Sequence, residues 1–155
     1  MPHTSTHTSA HTSNHTSIDN IVTYFETITP ETVSGINDLY TPDAYFKDPF
    51  NEVHGVKHIE RIFTHMYVAL DKPRFVITSK IIQDNTCFLV WDFKFYMKNY
   101  NKTTEQTIRG GSHLILNAEG KIVSHRDYWD AAEELYEKLP VVGALMRWLK
   151  KRANS

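Results

Sequence analysis

The stretch Ala44-Tyr45-Phe46-Lys47-Asp48-Pro49-Phe50-Asn51-Glu52-Val53-His54-Gly55 decides how this chain is read. A short extended run carries one acid, Asp48, into Pro49. Proline biases the residue before it toward extended backbone and ends regular pairing, which puts Asp48 at a strand end. Tyr45, Phe46 and Phe50 surround it in sequence. A carboxylate held among aromatic rings is poorly hydrated and suited to exchanging a proton near neutrality. The same residues also read as an Asp-Pro turn with a solvated carboxylate. A helix-like segment is expected to follow at once.

Upstream of that stretch, Ile18, Ile21, Val22, Phe25 and Ile28 fall at helical spacing, with Asp19 and Asn20 near the start. The spacing predicts a first helix beginning near Ile18, with Tyr24 beside its apolar stripe. Pro30-Glu31 is expected to open a second helix, capped by Thr29 and running through Val33, Ile36, Leu39 and Tyr40. Downstream, Val56 to Leu70 reads as a third helix that buries Ile59, Ile62, Phe63, Met66 and Leu70. His58 and His65 share one side of it. Two histidines without a third ligand are weak evidence for a metal site, and they read as flank residues.

From Pro73 the period changes to two. Phe75-Val76-Ile77 and Ile81-Ile82 belong to one strand, and Asp84-Asn85 makes a turn. Cys87 to Lys98 is a long strand that puts Leu89, Trp91, Phe93 and Phe95 on one face. Cys87 shares their parity, which makes it a core thiol. After a loop at Asn99 to Lys102, Thr103 to Leu116 forms a third strand. Gly110-Gly111 in its middle suggests a bulge or a sharp bend. Asn117 to Gly120 turns the chain into a last strand, Lys121 to Trp129. Helices first and a meander of antiparallel strands afterwards mean an α+β fold with helices on one face of a bent sheet.

The whole composition agrees with one soluble globular domain. The chain has 155 residues, a net charge of −1, a pI near 6.7 and aromatic residues at 12%. No basic field invites nucleic acid. The single cysteine permits no intrachain disulfide. No apolar run reaches spanning length and no signal-peptide pattern opens the sequence, so the expected location is the cytoplasm. Four tandem His-Thr-Ser-x tetrads, starting at His3, His7, His11 and His15, offer little to bury, and residues 1–17 are expected to be a disordered tail. The domain then spans 18–130, and 131–155 is a helical extension. Within that extension Pro140 opens a basic amphipathic helix carrying Val141, Leu145, Trp148 and Leu149. Docking on its own domain or on a partner subunit is favoured over contact with a membrane surface.

Helix, helix, short strand with Asp-Pro, helix and then four strands resembles the nuclear transport factor 2-like superfamily, in its SnoaL-like and ketosteroid isomerase branch. The matching pieces are Leu39 to Ala44, Lys47 to Phe50, His54-Gly55 and Asp127-Tyr128-Trp129. The resemblance implies a cone: a curved antiparallel sheet wrapped around N-terminal helices, with a pocket in its mouth. It makes Asp48 the base, Tyr24 the oxyanion donor and Tyr40 a supporting tyrosine. Ser112 stands where ketosteroid isomerases carry a protonated aspartate, which argues against steroid isomerisation. The resemblance also implies a homodimer paired through the outer sheet face.

The last strand adds His125, Asp127 and Trp129, which alternate and point to one face. An aspartate two residues from a histidine can orient the imidazole or stabilise its charge. The same pair could instead make structural hydrogen bonds to Arg126 or the terminal helix. The functional expectation is cofactor-independent acid–base chemistry, of isomerase, cyclase, dehydratase or hydrolase type, on a small apolar carbonyl- or hydroxyl-bearing molecule. Asp48, Tyr24, His125 and Asp127 would be catalytic, Tyr40, Phe63, Trp91, Ser112 and Trp129 would form the binding wall, and no metal is expected. The alternative is a non-catalytic module that binds an apolar ligand or dimerises.

Overall fold

A computed structural model of the chain describes residues 6–99 and 101–136, with side chains from Asn14 onward. One long helix, α1 (Thr6–Thr27), leads through a 3-10 turn (Val33–Gly35) and a single-turn helix, α2 (Ile36–Leu39), into β1 (Tyr40–Lys47). Then come β2 (Glu52–His54), α3 (Val56–Ala69), β3 (Leu70–Gln83), β4 (Thr86–Met97), β5 (Gln106–Leu116), β6 (Ile122–Tyr128) and a short α4 (Ala131–Glu134). The six strands form one open, curved sheet in the order β2-β1-β6-β5-β4-β3. β1 and β6 run parallel, and the other neighbours are antiparallel. The expected α+β cone is therefore present.

The period-two pattern of β4 is what closes the core. Cys87, Leu89, Trp91 and Phe95 are buried on the inner face of the sheet. Against them pack Ile18, Ile21 and Phe25 from α1 and Val56, Ile59 and Phe63 from α3. Each large apolar side chain buried there contributes roughly 1.5–3 kcal/mol of transfer free energy. Polar links fix where α1 lies on the sheet: Glu26 accepts from the Ile77 amide at 2.9 Å, and Lys80 pairs with Asp19. The Tyr67 hydroxyl donates to the Ile28 carbonyl at 2.8 Å and ties α3 to the end of α1.

Several expectations need correction. The first helix begins at Thr6, well before Ile18, so the expected start near Ile18 falls inside α1. Tertiary contacts supply what the His-Thr-Ser composition lacks. The Asn14 side chain donates to the Asp84 carbonyl at 3.0 Å, and Ser17 lies against Gly120. The second helix is reduced to a turn at Thr29–Thr32, the 3-10 turn and α2, because Tyr40 is already in a strand. Thr29 does hold its turn, accepting from the Thr32 amide at 3.3 Å. Asp48 is not followed directly by a helix: β1 and β2 form a hairpin around it, with Tyr45 opposite His54 and Lys47 opposite Glu52.

Gly110-Gly111 is not a bulge. Both pair in register, Gly110 with Trp91 and Gly111 with Val90. Their reason is steric. A Cβ on Gly110 would come within 3.0 Å of three atoms of the Trp91 indole, and one on Gly111 would stand 2.6 Å from two Phe88 ring atoms. Successive residues face opposite sides of a sheet. The two glycines thus admit one large ring on each side. Among the described residues, no helix is long and apolar enough to cross a membrane, and no group of three or more metal-ligating side chains gathers. Residues 137–155, including the Pro140 helix, lie outside the described residues.

Candidate active site

β6 supplies the chemistry. Its pairing with β5 places Asp127 opposite Ser112 and His125 opposite Leu114. Directly opposed side chains on one face sit close enough to bond. The Ser112 hydroxyl donates to Asp127 Oδ1 at 2.5 Å, and the Trp91 indole N–H donates to Ser112 Oγ at 2.8 Å. On the other side, His125 Nε2 lies 2.6 Å from the same Asp127 Oδ1. His125 Nδ1 lies 2.6 Å from the Tyr40 hydroxyl. Tyr40 enters from the start of β1, next to β6 in the sheet.

These five side chains form one continuous line, Trp91–Ser112–Asp127–His125–Tyr40. Its proton placement follows from what each group can do. A carboxylate only accepts, so Nε2 carries the hydrogen. Nδ1 is then an acceptor, and the Tyr40 hydroxyl donates to it. Burial holds the Tyr40 hydroxyl well above its ordinary pKa, and the Asp127 charge adds to the effect. Tyr40 therefore remains a donor. Tyr40 is 0% exposed and His125 3%, while Asp127 retains 16% of its side-chain surface. Phe25 and Phe46 stand edge-on to the imidazole, at 6.0 and 4.8 Å between ring centres. Asp127 Oδ1 is thus fixed by two donors. No hydrogen bond from the described residues falls on Oδ2.

Asp127 borders two cavities. The larger, about 240 Å³, has walls from α3 (Phe63, Met66), from the sheet (Phe46, Trp91, Phe93, Phe95) and from Trp129 beyond β6. At ~30 Å³ of liquid per water it equals roughly eight waters. That suits a compact frame of one or two fused rings. The smaller, about 20 Å³, lies between Ser112, His125, Asp127 and the core aromatics. It has room for one water, since about 10–15 Å³ suffices. Phe63, Phe75, Trp91 and Asp127 line both, so the carboxylate stands at the junction between them.

Asp48 also lines the larger cavity, immediately after β1. Its carboxylate is the hub of a tight turn rather than a free group among rings. Oδ1 accepts from the Phe50 amide at 2.7 Å, the Asn51 amide at 2.6 Å and the Asn51 side chain at 3.1 Å. Oδ2 accepts only from Asn51 Nδ2, at 3.0 Å. The turn reading of Asp-Pro-Phe-Asn is the one realised, although the carboxylate still borders the cavity. Phe50 stacks edge-on against Trp129 at 5.4 Å and is 54% exposed, which marks the outer end.

Tyr24 is the expected residue that does not join. Its hydroxyl lies within donating distance of the Thr32 and Val33 carbonyls, at 3.0 and 3.1 Å, and its ring packs on Gly35. It lines neither cavity. Its partial burial raises its pKa, as expected of a half-buried phenol that closes a turn. Tyr40 and Ser112 are not cavity wall in the expected sense either. Tyr40 backs His125, and Ser112 touches only the inner void. Phe63, Trp91 and Trp129 do form wall. The sequence reading gave Ser112 the role of a substituted donor. The hairpin turn at Asn117–Gly120 did not by itself give its real partner: it pairs Leu116 with Ile122, and an irregularity between Ile115 and Leu116 shifts the register so that Ser112 stands across from Asp127.

The sequence matches the SnoaL-like domain family over residues 21–125. No curated protein matches it significantly. Among solved structures, a protein with a ketosteroid isomerase-like fold from Catenulispora acidiphila, in complex with trimethylamine, is 14% identical with a TM-score of 0.64, covering 77% of this chain and 88% of that one. An NTF2-like protein of unknown function from Burkholderia pseudomallei is 15% identical with a TM-score of 0.66, covering 78% and 93%. An LEH-like epoxide hydrolase from M. tuberculosis is 10% identical with a TM-score of 0.63, covering 79% and 88%. At such identities these likenesses speak for the fold alone. The family match spans well over half of the chain, from within α1 to His125, and the cone agrees with it: this chain belongs to the SnoaL-like domain family.

Proposed function

We propose that this protein is an enzyme of cofactor-independent acid–base chemistry acting on a compact, mostly apolar molecule, with Asp127 as the proton-exchanging group. The observation that carries this reading is the hydrogen-bond line that fixes Asp127 Oδ1 from two sides, at a residue that lines the cavity and whose Oδ2 receives no hydrogen bond from the described residues. A base held rigidly by its neighbours needs little reorganisation when the proton moves. His125 orients the carboxylate and moderates its charge, Tyr40 fixes the imidazole tautomer, and Ser112 with Trp91 completes the support. Phe63, Trp91 and Trp129 hold the apolar body.

Two reaction types fit. In the first, Oδ2 takes a proton from a carbon next to a carbonyl and returns it to the same or another carbon. In the second, a water in the inner void gives a proton to Oδ2 as its oxygen bonds to carbon. The carbon–oxygen bond of an epoxide breaks, the epoxide oxygen takes a proton from solvent water, and Asp127 gives the proton it received back to solvent. The three polar side chains that border the otherwise apolar 20 Å³ void, Ser112, His125 and Asp127, favour the second. The M. tuberculosis neighbour, an epoxide hydrolase by its description, is consistent with it. Neither cavity has a lysine or arginine among its described residues, so a fully developed oxyanion would find no cation.

The test is a pair of assays on compact bicyclic compounds. One is deuterium uptake next to the carbonyl of 2-tetralone in heavy water, followed by NMR. The other is hydration of indene oxide. Acceleration of at least one, with a loss of about 10²–10⁴-fold in Asp127→Asn, is expected for a positioned acid–base group. No acceleration across both compounds, alongside saturable binding of an apolar dye, would favour a binding module instead.

A further inference from the structure

We infer that the ligand is an organic cation, with an ammonium group held at Asp48 and an apolar body running inward toward Asp127. The inference rests on the reading of the large cavity as the ligand site, and it adds the ligand's charge. Half of the described residues lining that cavity are aromatic, and the only ionisable ones among them are Asp48 and Asp127. Both are acidic. An anion entering this space meets two carboxylates and ring faces that carry negative potential. A cation meets attraction from both.

The two carboxylates are not equivalent. Asp127 lies at the inner end, against buried Ser112 and His125. Asp48 lies beside exposed Phe50 at the outer end. At Asp48 the donors are unevenly spread: three on Oδ1 and one on Oδ2. An ionised carboxylate offers about four acceptor positions over its two oxygens. Oδ2 therefore keeps capacity for an N–H donor. Phe50 and Trp129, packed edge to face, supply the adjoining ring surface. This arrangement gives Asp48 a binding role and leaves proton exchange to Asp127.

The test compares three probes with one ring system: 1-naphthylmethylammonium, 1-naphthalenemethanol and 1-naphthoate, by calorimetry at pH 7. Binding of the ammonium at least tenfold tighter than the alcohol, with the carboxylate weakest, is expected. In Asp48→Asn that gap should close while alcohol affinity holds, and in Asp127→Asn the gap should largely persist. Equal affinity for ammonium and alcohol in the unmodified protein overturns the cation assignment but leaves the cavity as a ligand site. No binding of any probe overturns both. A gap that survives in Asp48→Asn removes Asp48 as the anchor. The unmodified protein decides the charge question even where a variant folds poorly.

Discussion

Replacing Tyr40 by phenylalanine removes one oxygen from the centre of the molecule. The hydroxyl is its only hydrogen-bonding atom beyond the backbone, and its partner is His125 Nδ1 at 2.6 Å. No tautomer rescues the histidine. With the proton on Nε2, Nδ1 is an acceptor with no donor. With the proton on Nδ1, that N–H has no acceptor, and Nε2 turns a lone pair toward the Asp127 carboxylate. A buried polar atom left unpaired costs about 1–3 kcal/mol. Tyr40 and His125 are both buried and Tyr40 lines neither cavity, so the upper half of that range applies. The matched control is Tyr45→Phe, which loses a 2.8 Å bond to Glu52 near the surface, where the expected change is within about 0.5 kcal/mol. In urea unfolding, a loss of about 2 kcal/mol at a slope of ~2 kcal/mol/M lowers the midpoint by roughly 1 M for Tyr40→Phe. Equal midpoint shifts for the two variants, or a shift of Tyr40→Phe below about 0.25 M, would refute the claim that the hydrogen-bond line is energetically coupled.

Gly110→Ala places a methyl group inside the Trp91 indole, whose N–H is tied to Ser112, so a loss of about 1–3 kcal/mol is expected by thermal melting. Near-native melting would mean that the ring has room to move. Burial pushes the Cys87 thiol up to about 11 and the Tyr67 hydroxyl up to about 12, and raises Tyr40 as well. All three are protonated when folded and lose their protons at lower pH when unfolded. Their stabilisation is therefore full below about pH 9 and declines as pH rises, first through the thiol window and then the phenol window. Melting temperature against pH should show this decline, and Cys87→Ala should flatten its part between pH 9 and 11. Ile81, 62% exposed, shares the outer sheet face with Val90 and Tyr128, and we propose that two chains pair there. Light scattering should report a dimer for the native chain and a smaller species for Ile81→Lys.

What was legible in the sequence was whatever depends on period and local chemistry. Alternation along β6 set His125 and Asp127 on one face, and the apolar run of β4 fixed the inner wall, because a two-residue period survives any tertiary detail. The proline after Asp48 marked the strand end correctly. The sequence did not announce that Asn51, three residues on, would fold its amide and side chain back onto that carboxylate, although an Asp with Asn at that spacing is a turn pattern. Spacing along α1 does not tell where Tyr24 points: its neighbours on the helical stripe face the core, while its own position is rotated toward the turn at Thr32–Gly35. Gly110 and Gly111 were misread because their partners, Trp91 and Phe88, lie across the sheet and nearby sequence gives no hint of them. The early start of α1 was hidden for the same reason: Asp84 and Gly120, which receive it, are far along the chain.

The parallel junction of β1 with β6 has a bearing on how the molecule comes into being. β3, β4, β5 and β6 follow one another through short turns, and each can zip onto its predecessor. β1 must wait, because its neighbour is the final strand. Tyr40 and His125 are 85 positions apart, and closing so long a loop delays the contact relative to local hairpins. The hydrogen-bond line straddles that seam. A partly folded chain can therefore hold the Ser112–Asp127–His125 links, which lie within the β5–β6 hairpin, and still lack the Tyr40 hydroxyl that completes the line when β1 docks. The line from Trp91 to Tyr40 is whole only where β1 meets β6.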